Sequence, residues 1–273
     1  MYNSDMGRID VSVVVPVYNT GKTAKVLIKK LLDSYDRIEL IIVDDGSTDG
    51  SAELLDSINN VKVRVFHKEN AGPSSARNFG LKKAKGKYLM FIDSDDDIKK
   101  HFIREMVSMM DESTAMVVSG VEYNKLSTNE KSDVYLDPFD YKKGETNKDL
   151  MLRSLLYDGR MYPAFNKIFR TEIIKSQDVR YDETMNYGED TKFVMDYLNV
   201  AEGKIKFILK PLYIYYAGTS TSTAKKSQGV WSNWQKCFDN LKHWVGKNPS
   251  WNQKRILALI YLKWRASWLR TKI

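Results

Sequence analysis

"KGKYLMFIDSDDDI", residues 85–98, runs from an apolar stretch straight into four aspartates within five positions: Asp93, Asp95, Asp96 and Asp97. A short apolar run bounded by polar residues reads as a strand covered on both faces. Four carboxylates crowded at its end repel one another. Either that end is a solvated turn, or something positive is held there.

Working outward, the same pattern recurs. "VSVVVPVYN" (11–19) is a β-branched run ended by turn residues, "IELIIVDDGSTDGS" (38–51) is a second strand ending in acids, and "VKVRVF" (61–66) alternates as a third. Between them, 21–35, "SAELLDSI" (51–58) and "SSARNFGLKKAK" (74–85) carry helical spacing. Strand and helix alternating at this pace predict βαβ units and a parallel sheet with helices on both faces. Ligands of such sheets bind outside the carboxyl ends of the strands. Pro16–Asn19, Asp44–Asp45 and Asp93–Asp95 therefore converge on one edge, where a ligand is expected.

Beyond residue 100 the pattern loosens. Residues 101–113 read as helix and 115–124 as strand, with a polar surface loop over 127–149. Residues 149–157 and 189–201 read as helices, and 205–218 as a strand pair or one long strand. The composition, 42% hydrophobic and 12% aromatic, supplies a globular core. The single cysteine, Cys237, argues against a disulfide-stapled extracellular scaffold. Met1 to Asp10 is polar, with no leader pattern, and no apolar run reaches the roughly 20 residues of a spanning helix. The expected location is the cytoplasm.

The net charge of +8 is unevenly placed. Residues 225–273 carry eleven Lys or Arg against one acid, Asp239, together with all six tryptophans. In the last 23 residues, Leu257, Ile260, Tyr261, Trp264 and Trp268 form a helical stripe flanked by Lys and Arg. Such a stripe suits a membrane interface, with localisation peripheral to the inner face of the membrane. It equally suits packing on the body or on a second copy as a homodimer. No nucleic-acid-binding module accompanies the basic residues, so no nucleic-acid partner is expected.

The histidines (His67, His101, His243) are scattered, and neither a nucleophile elbow nor a phosphate-gripping P-loop is present. The chemistry must come from carboxylates. Asp93-Ser94-Asp95 sets two of them at i and i+2 on a strand end. Hard oxygen ligands of this kind suit Mg²⁺ or Mn²⁺, which usually bridge to substrate phosphates. Glu189 and Asp190, about 95 positions later, form a second acidic site; alone they read equally well as acids opening the helix that follows.

The ordered set "VSVVVPVYN", "IELIIVDDGSTDGS", "NAGPSSARNFGLKKAKGKYLMFIDSDDDI" and "NYGEDTKFVMDYL" resembles family 2 glycosyltransferases of the GT-A fold, over most of residues 10–216. The resemblance implies an inverting transfer from a sugar nucleotide, most often a UDP-sugar, to a glycan, lipid-linked or glycoprotein acceptor. It implies that Pro16, Val17 and Tyr18 line the nucleotide pocket, and that Asp45 bonds the uracil with help from Asn70 and Arg77. Asp93 and Ser94 would contact the donor, Asp95 would ligate Mn²⁺ or Mg²⁺, Asp190 would act as base, and Glu189 would orient the acceptor. It also implies a nucleotide-sugar half (1–100), an acceptor half (101–224) and a basic, Trp-rich helical extension (225–273). Two positions depart from the family pattern. Tyr216, followed by Ser220 and Ser222, stands where an Arg or His often grips metal or diphosphate, a place Lys225 or Lys226 could fill. Phe165, in "AFNKIFR", stands where Trp is common. A degenerate domain that only binds sugar nucleotide or scaffolds a partner is the competing reading. The intact Asp45, Arg77, Asp93, Asp95 and Asp190 favour the enzyme.

Overall fold

The computed structural model describes residues 8–125, 130–134, 146–157, 161–185, 187–218, 230–247 and 249–270. Ser220, Ser222, Lys225 and Lys226 lie outside them, as do the side chains of Trp231 and Trp268.

The strands are β1 (Val11–Val17), β2 (Ile38–Asp44), β3 (Val63–His67), β4 (Tyr88–Phe91), β5 (Asp97–Ile98), β6 (Thr114–Lys125), β7 (Glu130–Val134), β8 (Lys167–Arg170) and β9 (Lys204–Ala217). They form one sheet in the order β3-β2-β1-β4-β8-β6-β9-β5, with β7 beside β6. The pairings set β1, β2, β3, β4, β6 and β9 in one direction, and β5, β7 and β8 against them. The expected parallel sheet is therefore present, interrupted by β8, which the sequence pattern does not announce. β9 is one long strand, with register shifts against β6 around Pro211, which has no N–H to give to the ladder.

Alternation along the central strands builds two cores. Val11, Val13, Val15 and Val17 of β1, with Leu40 and Ile42 of β2, face α1 (Gly21–Ser34) and α4 (Phe102–Ser108). Val14, Ile41, Val43, Leu89 and Phe91 point the other way. They meet α3 (Pro73–Lys83), α5 (Asn147–Tyr157) and α7 (Glu189–Val200). Period-two alternation with both sets apolar is what a sheet sandwiched between helices requires. Two short helices, α2 (Ser51–Asp56) and α6 (Thr171–Ser176), complete the body. The sheet is continuous across residue 100, so the two expected halves share one architecture.

The C-terminal extension is a helical hairpin, α8 (Val230–Val245) and α9 (Trp251–Arg270). Its stripe faces inward: Cys237, Leu241, Trp244, Leu257, Ile260 and Trp264 belong to the same core as α5 and α7. Trp264 is 4% exposed, whereas Trp251 stands 75% exposed on the outer side beside Lys254 and Arg255. Packing on the body thus accounts for Leu257, Ile260 and Trp264 of the stripe. Among the described residues no helix is long and apolar enough to cross a membrane.

Candidate active site

The carboxyl ends of β1, β2 and β4 bring the expected residues to one edge. After β1, Tyr18 is half out in solvent, and Asn19 takes a left-handed conformation (φ 55°). That turn lets the Asn19 N–H donate to Ser47 Oγ (3.0 Å) and its Oδ1 accept from the Thr48 N–H (2.8 Å). Thr20 and Ser94 share a hydroxyl–hydroxyl bond of 2.7 Å. Val17 departs from expectation. It is 1% exposed and its side chain lies in the core, because period two sends it to the same face as Val15. Its carbonyl instead accepts from the Asp45 N–H at 2.8 Å, tying the two strand ends together.

Asp45 is buried and accepts from Lys68 Nζ (2.6 Å), the Ala71 N–H (3.1 Å) and the Gly72 N–H (2.7 Å). It fixes the 68–72 loop that carries the exposed Asn70. Gly46, at φ +73°, is required here, since a Cβ would come within 2.9 Å of the Asn70 nitrogen. Arg77 does not join this group. Its Nη2 donates to Asp93 Oδ1 at 2.6 Å, and its Nη1 faces Glu189 Oε1 and Asp190 Oδ1, each at 3.9 Å.

The four aspartates of the opening stretch go four ways. Asp93 takes Arg77, and Asp97 pairs with Lys30. Asp96 turns inward, accepting from the Tyr213 hydroxyl (2.7 Å) and the Tyr216 N–H (3.0 Å). Burial, and then the charge of Asp93, push the Asp96 carboxyl well above the usual range. Asp95 stays half-exposed. Asp96 therefore anchors the end of β9 against the aspartate turn, so the backbone after Tyr216 starts at the site. Phe165 stacks on Tyr213 (4.4 Å) and Tyr215 (5.6 Å), a packing role against the same strand.

The described residues contain no group of three or more His, Cys, Asp or Glu side chains suited to hold a metal. The donor chemistry still fits a hard cation. Asp95 would give one oxygen, and Mg²⁺ or Mn²⁺ habitually completes its shell with water and substrate phosphate.

Glu189 and Asp190 open α7 behind Gly188, whose φ is +80°. Asp190 Oδ2 accepts from the Ala164 N–H at 3.2 Å. The 163–166 segment is held in turn by Lys167, fully buried, whose Nζ donates to Asn166 Oδ1 at 2.8 Å. Burial, then Asp190 beside it, push the Glu189 carboxyl up to about 7. Behind Arg77, the Tyr181 ring lies 5.2 Å from the guanidinium carbon and stacks on Phe193 at 4.4 Å. Asn78 clamps the Tyr181 backbone through both its amide atoms, each at 2.9 Å. Sequence reasoning missed Tyr181, Asn78 and Lys167. Of these, Asn78, next to Arg77 in "SARNFG", and Lys167, in "AFNKIFR", stood inside stretches already singled out, whereas Tyr181 did not.

Comparison with known proteins follows the same lines. The Glycosyl transferase family 2 model matches residues 12–177. The glycosyltransferase GlyG of Streptococcus pneumoniae serotype 4 is 33% identical over 215 residues, 75% of this chain and 70% of GlyG. The poly(ribitol-phosphate) beta-N-acetylglucosaminyltransferase TarS of Staphylococcus aureus is 28% identical over 213 residues, 75% of this chain but 35% of TarS. The structure of TarS 1-349 in complex with UDP-GlcNAc superposes with a TM-score of 0.72 at 23% identity, covering 92% of this chain and 71% of that one. A mannosyltransferase from Pyrobaculum calidifontis, in complex with GDP-Man and Mn²⁺, gives a TM-score of 0.63 at 14% identity, covering 93% and 69%. With the family model matching more than half of its length and the strand-end carboxylates in place, the chain belongs to glycosyl transferase family 2 and is a glycosyltransferase of the GT-A fold.

Proposed function

We propose that the protein is an inverting, metal-dependent transferase moving a sugar from a UDP donor to a hydroxyl of a glycan, lipid-linked or protein-linked acceptor in surface glycoconjugate synthesis. The observation that carries this reading is the meeting of two acidic sites on one edge. Asp93 and Asp95 end β4, Glu189 and Asp190 open α7, and one guanidinium faces both sites. TarS, a relative over three quarters of this chain, is an N-acetylglucosaminyltransferase, and its structure holds UDP-GlcNAc.

Inversion by single displacement needs a base opposite the leaving group. The acceptor oxygen attacks the anomeric carbon, its bond to the diphosphate oxygen breaks, and the diphosphate departs with the electron pair. The acceptor proton goes to Asp190, which the Ala164 N–H aims. Glu189, which keeps its proton to about pH 7, donates a hydrogen bond that orients the acceptor. Asp45 shapes the 68–72 loop against the base, and Tyr18 offers a ring face to it. Pro16, Ser94 and Asp93 complete the donor side. A divalent cation on Asp95 would neutralise charge developing on the diphosphate.

A thermal-shift screen of UDP-, GDP- and dTDP-sugars with and without Mn²⁺ tests the reading, because a ligand bound only by the folded state raises the midpoint. UDP-sugars with Mn²⁺ should give the largest shift. No shift with any nucleotide would overturn the donor assignment.

A further inference from the structure

We propose that Arg77 is a positioning residue of the transfer reaction, a strut that holds the acceptor-side carboxylates Glu189 and Asp190 at a fixed distance from the donor-side Asp93. The inference rests on the function proposed above, and it moves Arg77 away from the nucleotide contact that the family pattern implies.

The geometry of the strut is specific. One terminal nitrogen, Nη2, is committed to Asp93 Oδ1 at 2.6 Å. The other, Nη1, faces Glu189 Oε1 and Asp190 Oδ1 at 3.9 Å each. Arg77 is 6% exposed, and both its Nη1 and Asp190 Oδ1 are shielded from solvent without a hydrogen-bond partner. A buried donor left unsatisfied is costly unless charge compensates it, and here the carboxylates of Asp93 and Asp190 do. With Oδ1 drawn toward Arg77 and Oδ2 held by the Ala164 N–H, the Asp190 carboxyl plane is fixed from both sides. The guanidinium cannot drift, because it lies over Tyr181, which stacks on Phe193 and is clamped by Asn78. A planar, forked cation is suited to join two sites in this way, and a lysine is not.

Glu189 reports on this arrangement. The charged or titratable groups acting on it are Asp190 on its own helix, Arg77 from α3, Asp93 from the end of β4, Tyr181 and Tyr187 from the preceding segment, and Cys237 from α8. Arg77 alone of these holds the Glu189 proton less tightly.

The test uses the full chain, with UDP and UDP-GlcNAc plus Mn²⁺ as probes and donor hydrolysis, water taking the acceptor's place, as the reaction. For Arg77→Lys, and for Arg77→Met if folded by circular dichroism, UDP affinity should stay within about threefold while kcat falls at least roughly 30-fold. The pH inflection that Glu189 sets should move upward in the methionine variant. Loss of UDP affinity with kcat preserved would make Arg77 a nucleotide contact and overturn the proposal, as would no change in either quantity. Should Arg77→Met not fold, Asp93→Asn releases the strut from its other end. The inflection should then move downward, and an unmoved inflection overturns the proposal. Wild-type protein that neither binds nor hydrolyses any UDP-sugar overturns the proposed function itself, and this inference with it.

Discussion

The donor side and the acceptor side of the site are built by different means. On the donor side, Asp44, Asp45 and Asp93 follow directly from β2 and β4, whose register against β1 is fixed by parallel pairing. Their positions are set within a few residues of chain. On the acceptor side, Glu189 and Asp190 sit on a helix held by distant pieces. The Ala164 N–H takes Asp190, and the thiol of Cys237 lies 3.4 Å from the Gly188 carbonyl. Tyr187, 37% exposed, meets Trp234 edge-on at 4.9 Å, and Trp234 leans on Trp264 at 4.4 Å. The difference teaches that the extension packs behind the turn that carries Glu189 and Asp190, and so borders the proposed base without touching the proposed donor side.

Substitutions can break that contrast. The largest effect is expected from Asp95→Asn, an amide being a poor ligand for a hard cation. Metal-dependent turnover should fall on the order of 10⁴-fold, since a bound cation is worth several kcal/mol of transition-state stabilisation. Unchanged turnover still suppressed by EDTA would remove Asp95 from the metal. Asp190→Asn should lower transfer by roughly 10³-fold, within the usual range for a general base, and leave UDP affinity intact by calorimetry. A drop in UDP affinity would move Asp190 to the donor side and erase the contrast.

Next in size is the extension. Trp264→Ala should cost about 3–5 kcal/mol in urea denaturation, as for other buried Trp truncations, while the folded fraction still binds UDP. Vesicle flotation of the intact chain distinguishes packing from a membrane role. Flotation on anionic vesicles that salt only partly reverses would restore the interfacial reading.

A pair of glycines sharpens the comparison further. Gly50 and Gly188 precede α2 and α7 with nearly the same left-handed backbone, φ 82° and 80°. A Cβ at Gly50 would meet nothing nearer than 4.0 Å, whereas at Gly188 it would meet Cys237 Sγ at 2.7 Å. Gly50→Ala should therefore cost about 1–2 kcal/mol, the backbone penalty alone. Gly188→Ala should cost more, and Cys237→Ala should relieve the excess. Equal costs would mean that α8 does not press on the base turn.

The smallest effect is a pH dependence. Folding pushes the Glu189 carboxyl up to about 7, so the folded state holds this proton more tightly than the unfolded chain does. Its stabilising contribution is present at low pH and is lost as pH rises from the ordinary carboxylate range through about 7. Comparing the urea midpoint of wild type with that of Glu189→Gln from pH 5 to 8 should show a shallower slope in the variant.

The sequence by itself determined the parallel half of the sheet and the edge on which the site lies. Apolar strands that end in turn residues and acids carry those acids at their carboxyl ends, and parallel strands place all such ends together. It could not show β8, four residues whose place between β4 and β6 depends on partners about 80 and 50 positions away. Nor could it say which aspartate of "DSDDD" does what. Asp96 is taken inward by Tyr213 and Tyr216, more than 100 residues on, and Asp97 by Lys30. Arg77, expected beside Asp45 at the uracil, meets two acidic sites instead because α3 and α7 pack on the same face of the sheet. Local pattern fixes which way a side chain points along its own strand or helix. Which charges then meet depends on tertiary packing, because their partners lie tens to hundreds of residues away and leave no periodic trace in the chain.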